Sequence, residues 1–370
     1  MVKLSPSGNM TELDRAVIDR LAHTRSELGY LSLYEAVEFE QPDRWRQHAR
    51  ARLAKMHVNP ARPHAERQLI RGAIDRMVAV IDDMPIRTTS FRGLVGFVDL
   101  EGADGDLWIA LDHAVECSLD LASRPRIAPL LPLLEAAAET GVVRCSTDSV
   151  VVDEWRAGAI TEIASYRADV DTSQWRRKQG PASVSGLGQE SVLQEDRFRS
   201  SLNQHRVEQL IDWVGDTLQT LHTRHRWQRM VIFGPAGVVD MLRPALAFAE
   251  PIIDGGHGIL VRAPHDELGA HVHRALEGQR AERDKAVVTR LLETGPAEAI
   301  IGSPQTETAL DEGRIDTLLL SDEDGDGSHQ VKEYLIRRAF DTSSEVVVVT
   351  DLEAVHLLLA AGGIGGLLRY

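Results

Sequence analysis

Cysteine and long apolar runs are both scarce in this chain of 370 residues. Only Cys117 and Cys145 are present, which excludes a disulfide framework and a set of thiolate metal ligands. No apolar run approaches the roughly 20 residues that cross a bilayer, and the opening residues lack the charged-then-apolar order of a secretory signal. We therefore expect a cytoplasmic protein that has no membrane segment, metal or cofactor.

Positive charge is also in short supply. Lysine and arginine together number 41 against 56 aspartate and glutamate residues, which gives a net charge of −15. This balance argues against general nucleic-acid binding, because phosphate contacts depend on cations, and we expect no DNA partner. Residues 172–230 differ, with nine basic against six acidic residues. This segment could dock on RNA, although ordinary charge scatter on a solvated helix explains it equally well.

The chain length predicts two or three domains. Strand-like and helical patterns alternate along the whole sequence, which predicts a mixed α/β fold class. We place an opening domain at 1–127, a central domain at 128–264 and a C-terminal domain at 265–370, the last with the element order of an α/β/α unit. The proline-rich residues 123–132 predict a linker or domain edge.

Several local predictions follow from the patterns. Thr11 is expected to cap a first helix over 11–25. Strand-like runs over 141–166 predict a three-stranded meander, and residues 258–263 predict a further strand. The longest helical pattern covers 190–223. A polar stretch precedes it that is too long for an ordinary hairpin loop, and such loops are usually functional or disordered.

Most other motifs have simple structural explanations. The acidic residues 321–328 lack the closing glutamate of a calcium loop and predict a solvated turn. His271 and His273 lie two residues apart, hence on different helix faces, which disfavours a zinc pair. Asp148 and Asp153 resemble a nuclease carboxylate pair, but turn and edge positions explain them more simply. Two glycine clusters do not fit a dinucleotide fingerprint.

The polar stretch contains the candidate functional residues. Basic residues stand near its start, and glycines precede the long helix. Glycines let a backbone approach RNA closely, and cations balance phosphate charge. A disordered hairpin tip is the simpler explanation of the composition alone. The RNA-binding candidates are Arg176, Arg177, Lys178, Gly180, Gly186, Leu187, Gly188 and Gln189.

The order of three strands, a basic Gly-Gln loop, a long helix and an α/β closure resembles the central domain of archaeal and eukaryotic class-1 release factors and Pelota. Residues 363–370, GIGGLLRY, resemble the signature that ends the third domain of that superfamily. The resemblance covers about 128–370 well and 1–127 loosely, where YLSLYEAVEF is similar to divergent bacterial members that include the ribosome hibernation factor Balon. It implies three mixed α/β domains, with a release-factor-like centre that carries the loop at 172–189 and a C-terminal α/β/α sandwich like the third release-factor domain.

The loop departs from the family pattern at its tip. In active release factors it ends in Gly-Gly-Gln and promotes hydrolysis of peptidyl-tRNA in the peptidyl transferase centre. Here Leu187 stands at the first glycine, and its β-carbon restricts the backbone. Glu190, Glu195 and Asp196 follow where active factors carry arginines. Because amide placement in such catalysis tolerates little displacement, we expect no catalytic residue.

The resemblance implies a ribosome-associated translation factor that acts in hibernation or protection under stress. It would bind the A site of the 70S ribosome, contact rRNA and reach toward the peptidyl transferase centre, with elongation factor Tu or another translational GTPase as a partner. Two alternatives stay open. One is a peptidyl-tRNA-hydrolysing release or rescue factor that uses Gln189 and Gly188. The other is an RNA-binding protein unrelated to the ribosome, because RNA-kink binders share the fold of the third domain.

Overall fold

The computed structural model shows a mixed α/β protein with three sheets in the part of the chain it describes, which confirms the predicted fold class. The chain divides into two compact units, Met1–Ala137 with Arg280–Tyr370 and Ala138–Gln279. The three-domain boundaries stay a prediction. The described residues are 9–37, 42–56, 59–84, 91–102, 105–111, 113–156, 158–168, 209, 211–249, 251–258, 261–323 and 329–369.

The N-terminal sheet has two apolar faces. Its elements are β1 Asn9–Thr11, α1 Arg15–His23, β2 Tyr30–Ala36, α2 Pro42–Ala54, α3 His64–Asp83, β3 Gly93–Asp99, β4 Leu107–Leu111 and β5 Ser118–Ala122. The strand order is β1-β4-β3-β2-β5. Leu31 and Leu33 share a core with α2 and α3, whereas Tyr34 belongs to the core that contains α1. Alternate β2 side chains therefore serve opposite faces.

The first helix begins later than the sequence predicts. Asp14 caps α1, and its carboxylate accepts a hydrogen bond from the Val17 amide at 2.7 Å. Thr11 is not the cap, because it pairs with Ile109 as the last residue of β1. An aspartate at the cap position satisfies an amide that would otherwise have no partner, so the stronger capping side chain sets the start of the helix.

The central sheet combines a meander with a parallel extension. A short 3₁₀ turn, Ala128–Leu130, and α4 Leu131–Ala136 precede it and belong to the first unit. The elements of the central region are β6 Thr140–Cys145, β7 Ser149–Arg156, β8 Ala159–Arg167, α5 over 211–225, β9 Arg229–Phe233, α6 Ala236–Leu242, a 3₁₀ helix Arg243–Ala249 and β10 Ile252–Gly256. The order is β10-β9-β6-β7-β8, and the predicted meander is confirmed. The strand predicted at 258–263 is wrong. Residues 261–263 form a turn and its exit, and β10 lies earlier, where Ile253 pairs with Val231.

The C-terminal part is an α/β/α sandwich, as predicted. Its elements are α7 His265–Glu293, β11 Ala299–Ile301, α8 Ser303–Asp311, β12 Ile315–Ser321, α9 His329–Asp341, β13 Glu345–Val349, α10 Leu352–Ala360 and β14 Ile364–Leu368. Leu318 and Leu320 pack with α8 and α9, whereas Leu319 packs with α7 and α10. The closing signature forms β14, between β11 and β12. A β-carbon at Gly365 would lie 2.5 Å from the Leu291 side chain, so this glycine makes room for α7.

Within the first unit, the N-terminal sheet and the C-terminal sandwich share one core. Ile18 of α1 and Ile336 of α9 belong to the same buried cluster. The guanidinium of Arg337 donates to the carbonyls of Leu21 and Ala22 at 3.0 and 2.7 Å, at the C-terminal end of α1. The predicted linker at 123–132 contributes fully buried side chains to this core, so it is a packed segment and not a free connection.

Candidate functional site

Four strands of the central sheet end at one edge. β9 is parallel to both β6 and β10, and β8 runs in the same direction as β6 because two antiparallel steps separate them. The carboxyl ends of β6, β8, β9 and β10 therefore meet at a common edge, which we call the carboxyl edge. In open sheets of parallel strands, this is the edge where ligands bind.

The predicted loop begins at this edge. It follows β8 and precedes α5 along the chain. All of its predicted site residues lie outside the described residues: Arg176, Arg177, Lys178, Gly180, Gly186, Leu187, Gly188 and Gln189. The assignments made for them above therefore stay predictions, and what the structure provides is the base from which the segment starts and to which it returns.

An aromatic pair joins the end of β8 to the described part of α5, and the chain between them contains the predicted loop. The rings of Tyr166, near the end of β8, and Trp213, in α5, are stacked with centroids 5.3 Å apart and planes inclined by 15°. Ala168 is buried in the same core as Val214 and Leu218. Offset stacking contributes roughly 0.5–1.5 kcal/mol beyond the apolar area that it buries. The end of β8 and the described part of α5 thus pack together at a single position.

A polar turn supports the departing strand. The Ala168 amide donates to the Asp148 carbonyl at 2.8 Å, and the Arg167 guanidinium lies 3.6 Å from the Asp148 carboxylate. The same carboxylate accepts the Ser146 hydroxyl at 2.7 Å. Asp148 therefore fixes the last residues of β8 at the carboxyl edge. Turn chemistry accounts for Asp148, as the sequence suggested.

Asp153 has a different partner. It is fully buried, and Arg144 donates to its two carboxylate oxygens at 2.7 and 2.8 Å. Arg144 also donates to the Val261 carbonyl at 3.1 Å. Burial raises the pKa of the Asp153 carboxyl, and the hydrogen bonds and charge of Arg144 act against that rise. Asp153 is a structural group that is committed to Arg144, which agrees with the sequence-based rejection of a nuclease pair.

The central domain offers little nucleophilic or metal chemistry. The Cys145 thiol donates to the Phe233 carbonyl at 3.3 Å, and burial raises its pKa to about 12, so it stays protonated at neutral pH. No group of three or more histidine, cysteine, aspartate or glutamate residues could hold a metal ion within the described ranges. In those ranges no helix is both long and apolar enough to span a bilayer.

The basic excess of residues 172–230 is partly structural. Arg229 is buried, and its Nε donates to the Thr140 hydroxyl at 3.0 Å. Arg224 and Arg226, at the end of α5, are exposed. His225 is bound to Glu154, which lies 2.9 Å away. Of the three cations of this stretch that the structure describes, Arg229 therefore serves the fold, a role that charge counting cannot reveal.

Four of the five strands of the central sheet, β6 to β9, lie with α5 and α6 in the segment that family comparison recognises. Residues 138–251 match the model of the bacterial archaeo-eukaryotic release factor family 5. The central domain is release-factor-like. This match includes both ends of the long segment, Tyr166 and Trp213, together with the Asp148 turn. No curated protein matches the chain in sequence.

Three solved structures illustrate what the chain is similar to. An archaeal termination factor, aRF1, shares 14% identity over 97% of this chain and 99% of its own, with a TM-score of 0.25. Pelota from Archaeoglobus fulgidus shares 18% over 75% and 79%, with a TM-score of 0.31. Dom34 from S. cerevisiae, a termination-like factor of RNA quality control, shares 14% over 75% and 80%, with a TM-score of 0.40.

Sequence reasoning missed the residues that hold the loop ends. Tyr166 and Trp213 lie 47 positions apart in the printed sequence and follow no shared motif. The available signal was their type, because only 5% of the residues are aromatic and Tyr166 stands just before the polar stretch. Their direct contact required the structure.

Proposed function

We propose that this release-factor-like protein binds the A site of the ribosome and extends residues 172–189 toward the peptidyl transferase centre, in hibernation or protection under stress. The supporting observation is the match of residues 138–251 to a release-factor family, in which the stack of Tyr166 on Trp213 closes the stretch that contains residues 172–189. Bringing the flanking residues of a long stretch together costs entropy, and the packing of Tyr166 and Trp213 offsets this cost.

The altered tip favours occupancy of the site over chemistry. Leu187 replaces the first glycine of the family tripeptide, and acidic residues follow Gln189. Basic residues at the start of the segment, Arg176, Arg177 and Lys178, are proposed to contact rRNA phosphates. By the same resemblance, elongation factor Tu or another translational GTPase is the proposed partner for delivery.

Ribosome pelleting tests this proposal. The wild-type chain is expected to pellet with vacant and stalled 70S ribosomes, and replacement of all three basic residues by glutamine should weaken binding and lower its salt dependence, because fewer counterions are released. A matched control replaces three exposed cations of the other unit, Arg15, Arg20 and Lys55. Cryo-EM of the complex should show density in the A site. An empty A site would refute the proposal.

Peptidyl-tRNA hydrolysis is the second candidate, because Gly188 and Gln189 retain two residues of the family tripeptide. It requires peptide release from loaded ribosomes that disappears in Gln189→Ala while ribosome binding persists. The proposed hibernation role predicts no release by either form. Equal, salt-dependent affinity for free structured RNA and for ribosomes would instead favour the RNA-binding alternative.

A further inference from the structure

A second polar feature lies at the carboxyl edge, at the opposite end of the central sheet from β8. It is a cleft of about 260 Å³ between the end of β10 and α7. This volume is below the range of roughly 300–1,000 Å³ that is usual for drug-sized ligands, so the cleft suits a small chemical group. Its lining residues are Asp254, Gly255, Gly256, His257, His271, Arg274 and Ala275.

Nitrogen donors dominate the cleft. Arg274 and His271 stand one turn apart on α7, and His257 faces them from the end of β10. No ion pair joins these three side chains to another residue within the described ranges. The one carboxylate, Asp254, already accepts the Gly256 amide at 2.8 Å. One guanidinium and two imidazoles, beside one carboxylate that already accepts a backbone hydrogen bond, suit an oxyanion.

The walls of the cleft are positioned by the core. The His271 ring meets the buried Phe233 ring edge-on, with centroids 6.4 Å apart and planes at 78°. A β-carbon at Gly255 would lie 2.4 Å from the Phe233 ring, so the strand end must be glycine to pass it. Gly256 has a φ of +105°, and the space where its side chain would stand is open. The backbone thus turns sharply and leaves the cleft unobstructed.

The location favours a nucleic-acid phosphate over a free anion. The cleft and the end of β8, which precedes the 172–189 segment in the chain, share the carboxyl edge four strand steps apart, which corresponds to roughly 19 Å at about 4.8 Å per step. A polynucleotide that meets one end of this edge can reach the other. We infer that the cleft binds a backbone phosphate of RNA, with Arg274 as the charged contact and His257 and His271 as hydrogen-bond donors. The RNA source of this phosphate rests on the proposed function.

Histidine NMR of the full chain tests the cleft directly. Ring signals of His257 and His271, assigned with His257→Gln and His271→Gln, are expected to shift saturably with an oligouridylate. Arg274→Gln should weaken this binding roughly tenfold, the loss for one hydrogen bond to a charged group. Arg243→Gln, which removes an exposed arginine of the same unit outside the cleft, should leave it unchanged.

Two further binding experiments use inorganic phosphate and ribosomes. Weaker binding of phosphate at the same two histidines supports the inference. Binding of phosphate without any response to oligouridylate overturns the RNA assignment, and no response to either overturns the site. On ribosomes, Arg274→Gln should reduce the salt slope of log Kobs by about one.

These outcomes separate the two proposals. If wild type pellets with ribosomes and Arg274→Gln pellets equally with the same salt slope, the inference fails and the proposed function stands. If wild type does not pellet, the proposed function fails, whereas a response of the two histidines to oligouridylate still supports the cleft as an RNA phosphate site.

Discussion

Removal of Arg144 is expected to lower the free energy of unfolding of the Ala138–Gln279 unit by about 3–5 kcal/mol. Arg144 and Asp153 are 3% and 0% exposed, and two hydrogen bonds of 2.7 and 2.8 Å join them. An exposed pair contributes at most about 1 kcal/mol. In Arg144→Ala the carboxylate instead stays buried without its cation, and the Val261 carbonyl loses its donor. The buried charge of Asp153, left without a cation, accounts for most of the lost free energy of unfolding.

Urea unfolding followed by tryptophan fluorescence measures this effect, because four of the six tryptophans lie in the Ala138–Gln279 unit. The midpoint should fall with an unchanged m-value. Arg156→Gln is the matched control, because its pair with Glu139 is half-exposed and should contribute less than about 1 kcal/mol. The combination Arg144→Met with Asp153→Leu should recover most of the loss. A cost for Arg144→Ala no larger than that of the control would refute the reasoning.

The pH dependence follows from the same pair. Burial raises the pKa of Asp153 above its ordinary value, and loss of Arg144 should raise it further. Between the unfolded-state value of about 3.9 and the folded-state value, the folded chain binds more protons, so its stability falls as pH rises. The deficit of Arg144→Ala relative to wild type should therefore shrink as pH is lowered from 7 toward that window. A deficit that grows on acidification would contradict this assignment.

Three further predictions concern packing. Arg337→Met should cost about 3 kcal/mol or more, because it strands buried carbonyls of α1, and chemical unfolding should show the loss. Gly365→Val in β14 should lower the free energy of unfolding by about 1–3 kcal/mol, because the new side chain overpacks against Leu291 of α7. Gly278→Ala in α7, where the added methyl group has open space, should be neutral or stabilising. A double-mutant cycle on Tyr166→Ala and Trp213→Ala should give a coupling of about 0.5–1.5 kcal/mol; additive costs would show that the stack does not join the loop ends.

Much of the secondary structure could be predicted from local pattern. The sandwich elements from α7 to β14 combine periodic apolar faces with clear glycine and proline boundaries, so local and tertiary preferences agree. The predictions were wrong where a neighbouring residue offered a better cap or a better strand pairing. Asp14 displaced Thr11 as the helix cap, and the buried pairing of Ile253 drew β10 to a position before the predicted 258–263.

The candidate site was also only partly predictable from the sequence. A basic, glycine-containing segment is visible in the sequence because composition is a local property. The cleft is not, because His257 and Arg274 come together only through strand direction and the placement of α7 on the sheet. Likewise, nothing local distinguishes the buried Arg229 from the exposed Arg224.

The core shared by α1 and α9 has a consequence for how the chain is made. The Leu21 carbonyl and the Arg337 side chain that donates to it are 316 residues apart in sequence. At roughly 5–20 residues per second of synthesis, one face of the N-terminal sheet waits on the order of 15–60 s for its partner, while α2 and α3 can cover the other face early. The nascent N-terminal sheet therefore exposes one apolar face while most of the remaining chain is translated, and its core is completed only when the C-terminal sandwich has been made.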